Sequence, residues 1–521
     1  MHRDLGSPWL ARTGCRCFPG DSCWPVQSVW DEFNNTVGGR LVATRPLATV
    51  CHGDEYNETA CQRLEDAWYT PETHIESSSS IMAPSFTNQS CDPFLPRQSP
   101  CVIGAYIRYA VDARNISDFQ ATLIFAKAHN IRVAIRNTAH DFLGKSSGPG
   151  ALAIWTHHFK STEVLDYTSS HYIGKALKAT AGTQIGDAFQ TAHDNGLVVV
   201  GGTCSSVGLV GGYSQGGGHG YLASRFGLAA DQALEWEVLT TQGAIIKASP
   251  TENQDIYWAL SGGGGGTFGV VLSLTGVRAF VAELPSVLDA GAVSTWLSSN
   301  SSFSMSPVVG FGMTQDELDA LNRPVLDRLE QLNISYNYYS AEFPTFLDMY
   351  GAMNPYCETA LFQVGGRLIP RSVILDSLDN FTDALRAIGE LNTLISGVSF
   401  NVSRAPDVAN AVNPAFRSAS ISILVGTYYN YTNRDENLAN QALMTDTIVP
   451  MLSNLIPGGG YSYLNEGDPF EPNWEHVFYG GNFERLREIK KKYDPESILY
   501  ARTAVGSESW TETTDGRLCP S

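Results

Sequence analysis

The sequence predicts an α+β fold, with an antiparallel-sheet lobe laid over a lobe of mixed helices and strands. Three observations predict it. Helix-then-strand units recur between Ser117 and Gly220, and each runs into a loop. Glycine, 49 residues in all, is concentrated in runs beside those loops rather than spread as a linker. After about residue 280 glycine thins, and aromatic, alternating strands with grouped helices take over.

Residues 1–95 form a cysteine-containing segment with little periodicity and a Ser77–Ser80 run. Seven of the ten cysteines fall in the opening 101 residues, the pattern of a disulfide-stapled segment made in an oxidising compartment. Cys51/Cys61 and Cys91/Cys101 close short loops and are the expected pairs. The first helix starts at a Ser117/Gln120 capping box and carries Phe119, Leu123 and Ala126 on one face. Ile131, Val133 and Ile135 then alternate as a strand that ends in Asn137-Thr138-Ala139-His140-Asp141. The second unit is a helix over Thr183–His193, a stop at Asn195-Gly196, and a strand over Leu197–Val200 that enters the glycine-dense Gly201–Gly220. A third glycine run, Ser261–Gly266, leads into a strand over Gly269–Thr275. In the following lobe, Thr314/Glu317 caps a helix, and Ser335–Tyr339 and Ser418–Tyr431 read as aromatic strands. The last helix buries Phe483, Leu486 and Ile489, and Lys490, Lys491 and Lys492 complement its dipole.

The bulk numbers narrow the function. Hydrophobic residues make up 43% and charged residues 17%, as in a folded globular protein. A net charge of −19 argues against nucleic acid and anionic membranes as partners, and it assigns any phosphate to backbone N–H groups in glycine turns. Sequons at Asn34, Asn57, Asn88, Asn115, Asn300, Asn333, Asn380, Asn401 and Asn430 favour a secreted glycoprotein, although the opening MHRDLGSPWLARTG holds no apolar signal core. No stretch approaches a membrane span.

Among the motifs, Gly264, Gly266 and Gly269 spell a dinucleotide fingerprint, but the following segment is strand-like, so a Rossmann reading fails. Cys204–Gly220 holds so many glycines that its backbone must turn tightly, either as a structural loop or close against a flat or charged ligand. A lone His140 is more often structural, and a lone Cys204 is more often a buried thiol or half a disulfide.

Four ordered motifs bear on that choice: R-N-T-A-H-D (Arg136–Asp141), G-T-C-S-S-V-G-x-x-G-G-Y-x-Q-G-G-G-H-G (Gly202–Gly220), W-A-L-S-G-G-G-G-G-T-F-G-V-V (Trp258–Val271) and the tail from Phe478 to Pro495. Together they resemble the vanillyl-alcohol-oxidase-type (PCMH-type) FAD-linked oxidoreductases, in the berberine-bridge-enzyme-like branch and its fungal secreted, isoamyl-alcohol-oxidase-like members. The resemblance covers roughly residues 95–280 and 460–510, and the Cys17–Pro25 stretch shares it. It implies a PCMH-type FAD-binding domain of two α/β subdomains over 96–280, completed by 460–521, with a substrate domain over 281–459. It also implies covalent FAD, bonded at His140 and, by the matching cysteine, at Cys204. Arg136, Asn137, Thr138, Ala139 and Asp141 would form the phosphate-side loop. Gly208, Gly211, Gly212, Gly216, Gly217 and Gly218 would line the flavin, and Gly262, Gly266, Thr267 and Val270 the adenosine and ribityl side. Tyr479 and Asn482 would reach back over the ring. The chain departs from the pattern at Thr138, Ala139 and Ser205, and it carries Phe478 where plant relatives have the working tyrosine.

The expected reaction is removal of a hydride from an alcohol, sugar or secondary-metabolite substrate to FAD and then to molecular oxygen. Tyr479 is the first candidate base, Glu466 with Asp468 the second and His219 the third, while Tyr428, Tyr429 and Tyr431 are candidates for the substrate wall. Two rival classes are a dehydrogenase of the same fold that uses another acceptor, told apart by peroxide release, and a non-catalytic binding protein, told apart by a colourless product. No metal is expected.

Overall fold

The computed structural model describes residues 14–87, 89–278, 291–299, 302–353, 357–404, 406 and 408–521. Asn88, Asn300 and the expected boundary at 280/281 lie outside them. The fold is mixed helix and sheet, built on three main sheets.

The first sheet has the order β1 (Leu41–Ala43), β2 (Tyr109–Asp112), β4 (Leu152–Trp155), β3 (Val133–Arg136). Strands β2 and β3 run parallel to β4, and the helix Ile116–Ala128 makes the crossover between β2 and β3. That helix buries Phe119, Leu123 and Ala126 as expected, but its cap is Asn115 rather than Ser117. The Asn115 side chain accepts from the Asp118 N–H at 3.1 Å, and Asp118 accepts in return from the Asn115 N–H at 3.3 Å. In β3 the apolar/arginine alternation hides a strand covered on both faces, for Arg136 is 0% exposed.

The second sheet is antiparallel, with the order β5 (Thr162–Thr168), β6 (Ile173–Thr180), β9 (Val270–Arg278), β7 (Glu235–Leu239), β8 (Ile245–Ala248). Strand β9 follows the third glycine run directly, in keeping with the rejected Rossmann reading. Leu197–Val200, expected as a strand, joins no sheet; Val200 packs with Leu222 and Ala229 instead, so its hydrophobicity serves side-chain packing without a ladder.

The third sheet is antiparallel, with the order β11 (Phe303–Val309), β10 (Val293–Ser298), β13 (Thr393–Ser399), β14 (Ala419–Tyr428), β12 (Phe362–Pro370). One face carries Trp296, Ile395, Ile423 and Val425 into a core shared with the helices Leu378–Gly389 and Val449–Ser453. The other face presents Thr295, Ser396, Val398, Ser422 and Leu424 to a cavity. Register places these side by side: Thr295 pairs with Val398, Val398 with Ser422, and Ser396 with Leu424. Ser335–Tyr339 is not a strand; it is exposed, and the Tyr336 and Tyr338 hydroxyls donate to Glu330 and Asp319 of the helix Gln315–Gln331.

Residues near the two ends of the described chain meet. Cys15 is bonded to Cys519, and Arg517 pairs with Asp21. The expected Cys51–Cys61 and Cys91–Cys101 bridges are present, with Cys17–Cys23 beside them. From the end of the chain the helix Phe483–Tyr493 returns to the first lobe, and Lys490 is buried rather than solvated. Its ammonium donates to Asp494 at 2.7 Å and to the Thr267 and Leu499 carbonyls at 2.8 and 2.7 Å.

Candidate active site

A cavity of ≈ 400 Å³ lies between the third sheet and the two sheets of the first lobe. The loop after β3 forms one wall. Its Asn137 donates to the Ala181 carbonyl at 2.8 Å, and Ala139 takes the left-handed conformation at φ 66° where a methyl group is strained. Asp141 accepts from the Leu143 and Ser146 N–H groups at 3.0 and 2.7 Å, which curls the loop onward to Lys145. Lys145 lines the cavity, and burial, opposed by the charge of Asp141, pushes its ammonium down to about 8.

His140 stands at the centre of that wall. Its Nε2 lies 2.8 Å from the Ser206 hydroxyl and 3.9 Å from Cys204 Sγ. Burial, with the charge of His74 adding, pushes the imidazole down to about 4, so it is neutral and nucleophilic at neutral pH. The structure therefore unites the two side chains that the motifs single out, although Cys204 is bonded to Cys357, itself a cavity residue. That bridge engages the same sulfur that the resemblance assigns to a flavin bond.

The glycine runs form the opposite wall, and their closeness explains the residue type. A Cβ on Gly265 would stand 2.8 Å from the Gly212 Cα, and one on Gly208 would stand 2.1 Å from Asn137 Nδ2. Gln215 knits the runs together by accepting the Gly262 and Gly264 N–H groups through its carbonyl at 3.0 and 2.8 Å. Its own Oε1, like Asn137 Oδ1, is buried without a partner in the protein. Neighbouring glycine backbones, buried polar atoms without partners, one lysine and a neutral histidine fit a flat ring joined to an anionic diphosphate.

The third wall holds a histidine–carboxylate pair. His219 Nε2 lies 2.8 Å from Glu466 Oε1, while Glu466 Oε2 accepts from the Ser422 hydroxyl at 3.2 Å. His219 Nδ1 is buried without a partner in the protein. Burial lowers its imidazole's affinity for a proton, but the adjacent Glu466 charge and hydrogen bond raise it further, for a net upward shift. Tyr213 donates to the His219 carbonyl at 2.9 Å, and Asn465 donates to the Gly212 carbonyl at 2.8 Å, fastening the tail segment to the glycine loop.

Of the expected residues, Asn137, Thr138, Ala139, His140, Asp141 and Cys204 line the cavity, as do Gly208, Gly211, Gly212, Gly266, His219 and Glu466. Others lie behind it. Arg136 is a buried brace that donates to the His74 and Ser77 carbonyls at 3.1 and 2.8 Å. Gly216, Gly217 and Gly218 carry the turn toward His219, and Gly262 is closed against the Val412 backbone. Thr267 holds Lys490 by its carbonyl, and Val270 is in the core of the first lobe.

Two candidates lie outside the cavity lining. Tyr479 is fully buried outside the cavity lining and donates to the Thr503 carbonyl at 2.9 Å; burial, with Glu508 adding, raises its phenol far above the ordinary value, the opposite of what a base needs. Asn482 clamps the Ala411 and Val412 carbonyls at 3.1 and 3.2 Å instead of reaching the ring position. Asp468 is likewise buried against Thr445. Tyr431 accepts from the Trp68 indole at 2.9 Å in a separate aromatic cluster with Tyr429, and Tyr428 is exposed. The unforeseen members are Lys145, Ser206, Gln215, Ser422 and Asn465. Lys145 follows the first motif closely, Ser206 and Gln215 lie inside the second, Asn465 adjoins the candidate Glu466, and Ser422 is on the cavity-facing register of β14; those positions were the one signal that pointed to them.

Comparison with known proteins agrees with this arrangement. Residues 107–249 match the FAD binding domain family, and residues 462–506 match the berberine and berberine-like family. The chain is 45% identical to the FAD-linked oxidoreductase sor8 of Hypocrea jecorina, over 97% of this chain and 93% of that protein. It is also 45% identical to the FAD-linked oxidoreductase patO of Aspergillus clavatus, over 97% and 94%. The crystal structure of the VAO-type flavoprotein MtVAO615 from Myceliophthora thermophila C1 superposes with a TM-score of 0.92 at 38% identity, over 97% of this chain and 100% of that one. The cavity, its glycine walls and these relatives lead to one conclusion: the chain is an FAD-dependent oxidoreductase that belongs to the vanillyl-alcohol-oxidase-type, berberine-bridge-like family.

Proposed function

We propose that this enzyme is a secreted oxidase of neutral, partly apolar alcohols, that its FAD is covalently bonded at His140, and that the His219–Glu466 pair removes the substrate's hydroxyl proton. The cofactor lobe then comprises residues 96–280 and 460–521, and residues 281–459 cover the substrate. Bound FAD supplies the hydride acceptor and passes the electrons to molecular oxygen as hydrogen peroxide.

The observation that carries this reading is the His219–Glu466 pair itself. With Nε2–H directed at the Glu466 carboxylate, Nδ1 is left with its lone pair and no protein partner, in a residue of the cavity wall. A substrate hydroxyl there gives its proton to Nδ1, and Glu466 stabilises the imidazolium that forms. Ser422 holds the second carboxylate oxygen, and Tyr213 fixes the histidine's backbone. The third sheet offers the substrate Thr295, Ser396, Val398, Ser422 and Leu424, a mixture of hydroxyls and short apolar groups with no cation, which suits a neutral molecule. Secretion is supported by five disulfides, and none of the described sequon asparagines is buried. Among the described residues no helix is long and apolar enough to cross a membrane.

The test is anaerobic mixing of the purified yellow protein with a panel of primary and secondary alcohols, followed by oxygen. Bleaching by a neutral alcohol and peroxide release on reoxidation are expected. Bleaching without peroxide assigns the dehydrogenase chemistry instead, and no bleaching by any alcohol removes the substrate class. Glu466→Gln should slow bleaching by ~10²–10⁴-fold, the usual worth of a positioned acid–base group.

A further inference from the structure

We propose that Glu76, His157 and His158 form a site for a divalent transition-metal ion, zinc above all, which fastens the amino-terminal segment to the first sheet. The site is separate from the flavin cavity, and nothing in it depends on the reaction proposed above.

Parallel pairing brings the parts together. Asp112, Trp155 and Arg136 stand side by side at the ends of β2, β4 and β3, because Trp155 pairs with both of the others. His157 and His158 follow at once, beyond the carboxyl ends of these strands, where open parallel sheets hold their ligands. Arg136 brings in the third residue. Its carbonyl accepts from the Thr156 N–H at 2.7 Å, while its guanidinium donates to the His74 and Ser77 carbonyls on either side of Glu76. The same buried brace therefore sets the Glu76 turn against the histidine pair.

The donors are arranged as metal ligands are. His157 is buried, its side chain 6% exposed. Its Nδ1 has no partner in the protein, and its Nε2 faces Glu76 Oε1 at 3.6 Å, too far for a hydrogen bond. That spacing is close to the ~3.4 Å edge of a tetrahedron whose metal–ligand bonds are about 2.1 Å. His158 is oriented to match. Its Nδ1 lies 2.7 Å from Asp112 Oδ1, and the other oxygen of that carboxylate accepts from Arg114 Nε and Nη2 at 2.9 and 2.8 Å. A carboxylate that takes Nδ1–H leaves the Nε2 lone pair for a metal, the usual support behind a zinc histidine. One donor atom from each of Glu76, His157 and His158 lies within 4.8 Å of the other two, and the exposed Glu76 can close on an ion. The neighbouring cation, Lys160, is turned to Asp187 and Gln184 at 3.1 and 2.6 Å. Three other such groups occur among the described residues. Two are built on cysteines bonded to each other, and the third is His140 with Cys204 and Cys357 in the flavin cavity. Two imidazoles and one carboxylate select zinc or copper over calcium and magnesium, which take oxygen donors. This departs from the expectation of no metal, which local patterns could not correct because Glu76 is remote from the histidines along the chain.

The experiment uses untagged holoenzyme, stripped with EDTA and dialysed free of it. Calorimetric titration with zinc chloride should show one ion bound per chain, and the melting temperature should rise with zinc. Calcium and magnesium chloride should do neither. His158→Gln should abolish both effects of zinc, and Asp112→Asn should weaken zinc binding by about 10–100-fold. No heat with zinc overturns the proposal, as does zinc binding that survives His158→Gln undiminished. Equal binding of calcium also overturns it, by marking a carboxylate surface. A measurement on the unaltered protein covers a variant that fails to fold. Loaded with one equivalent of copper(II), the holoenzyme should show paramagnetic resonance couplings from two imidazoles. Its tryptophan fluorescence should fall, because the Trp155 ring lies 4.8 Å from that of His158. Coupling from fewer than two imidazoles overturns the site.

Discussion

At His219 two consequences of one titration run in opposite directions. Its folded affinity for a proton lies above the ordinary value near 6.5, because Glu466 outweighs burial. A raised imidazole stabilises the fold fully below about pH 6.5 and loses that contribution as pH rises through the folded value. Proton removal needs the neutral ring, so kcat/KM should climb over the same interval in which the melting temperature falls. Rate profiles and calorimetry on one buffer series check the crossing, and His219→Gln should erase both limbs. Ala139 makes a second residue-scale prediction. At φ 66° its methyl group costs about 1–2 kcal/mol that glycine avoids, so Ala139→Gly should raise stability by roughly that amount in a denaturant titration. Both sites were legible as residues before they were legible as roles. His140 and Cys204 stood in recognisable motifs, but the Cys204–Cys357 bond joins positions 153 apart, and no local pattern announces such a pairing. Tyr479 shows the converse, since burial decides a phenol's chemistry and the string Phe478-Tyr479 does not say which ring faces the cavity.

Among the elements, the closing helix Phe483–Tyr493 shows how a surface feature in the sequence becomes a core feature in space. A lysine triplet near a helix end reads as dipole compensation, and Lys492 does reach an exposed pair with Asp255. Lys490 instead turns inward, where Asp494 and two carbonyls satisfy it and the Thr267 carbonyl draws the third glycine run into place. Lys490→Met should therefore cost about 3–5 kcal/mol, since Asp494 is left charged and buried; chemical unfolding measures it, with partial loss of bound flavin as a companion readout. The strongly periodic elements were legible, as in the helix bearing Phe119 and Leu123 and in β14. The errors came where hydrophobicity lacked a ladder, as at Leu197–Val200, and where aromatic residues lay on the surface, as at Ser335–Tyr339. Side-chain packing and phenol hydrogen bonds substitute there for strand pairing, and periodicity alone does not distinguish them.

For the whole molecule, the cavity lies where three separate stretches converge: the β3 loop, the cover sheet, and the tail that brings Glu466 and Leu499 back to the start. The resemblance made this convergence legible, because its motifs flank the cover lobe on both sides. The terminal latch was not foreseen, although Cys519 stood unassigned. Cys15→Ser should remove about 2–5 kcal/mol or the equivalent in melting temperature, read by thermal unfolding under non-reducing conditions.

That same latch, from Cys15 to Cys519 with Arg517 on Asp21, governs the order of events during synthesis. A nascent chain emerging amino end first can assemble the early strands, yet β3 meets Leu499 only after more than 360 further residues have been added, roughly the separation of Val133 and Leu499. The first lobe therefore lacks part of its packing until Leu499 and Cys519 have been made. Removing residues 495–521 should accordingly weaken the amino-terminal lobe as well, read as earlier proteolysis of residues 14–136.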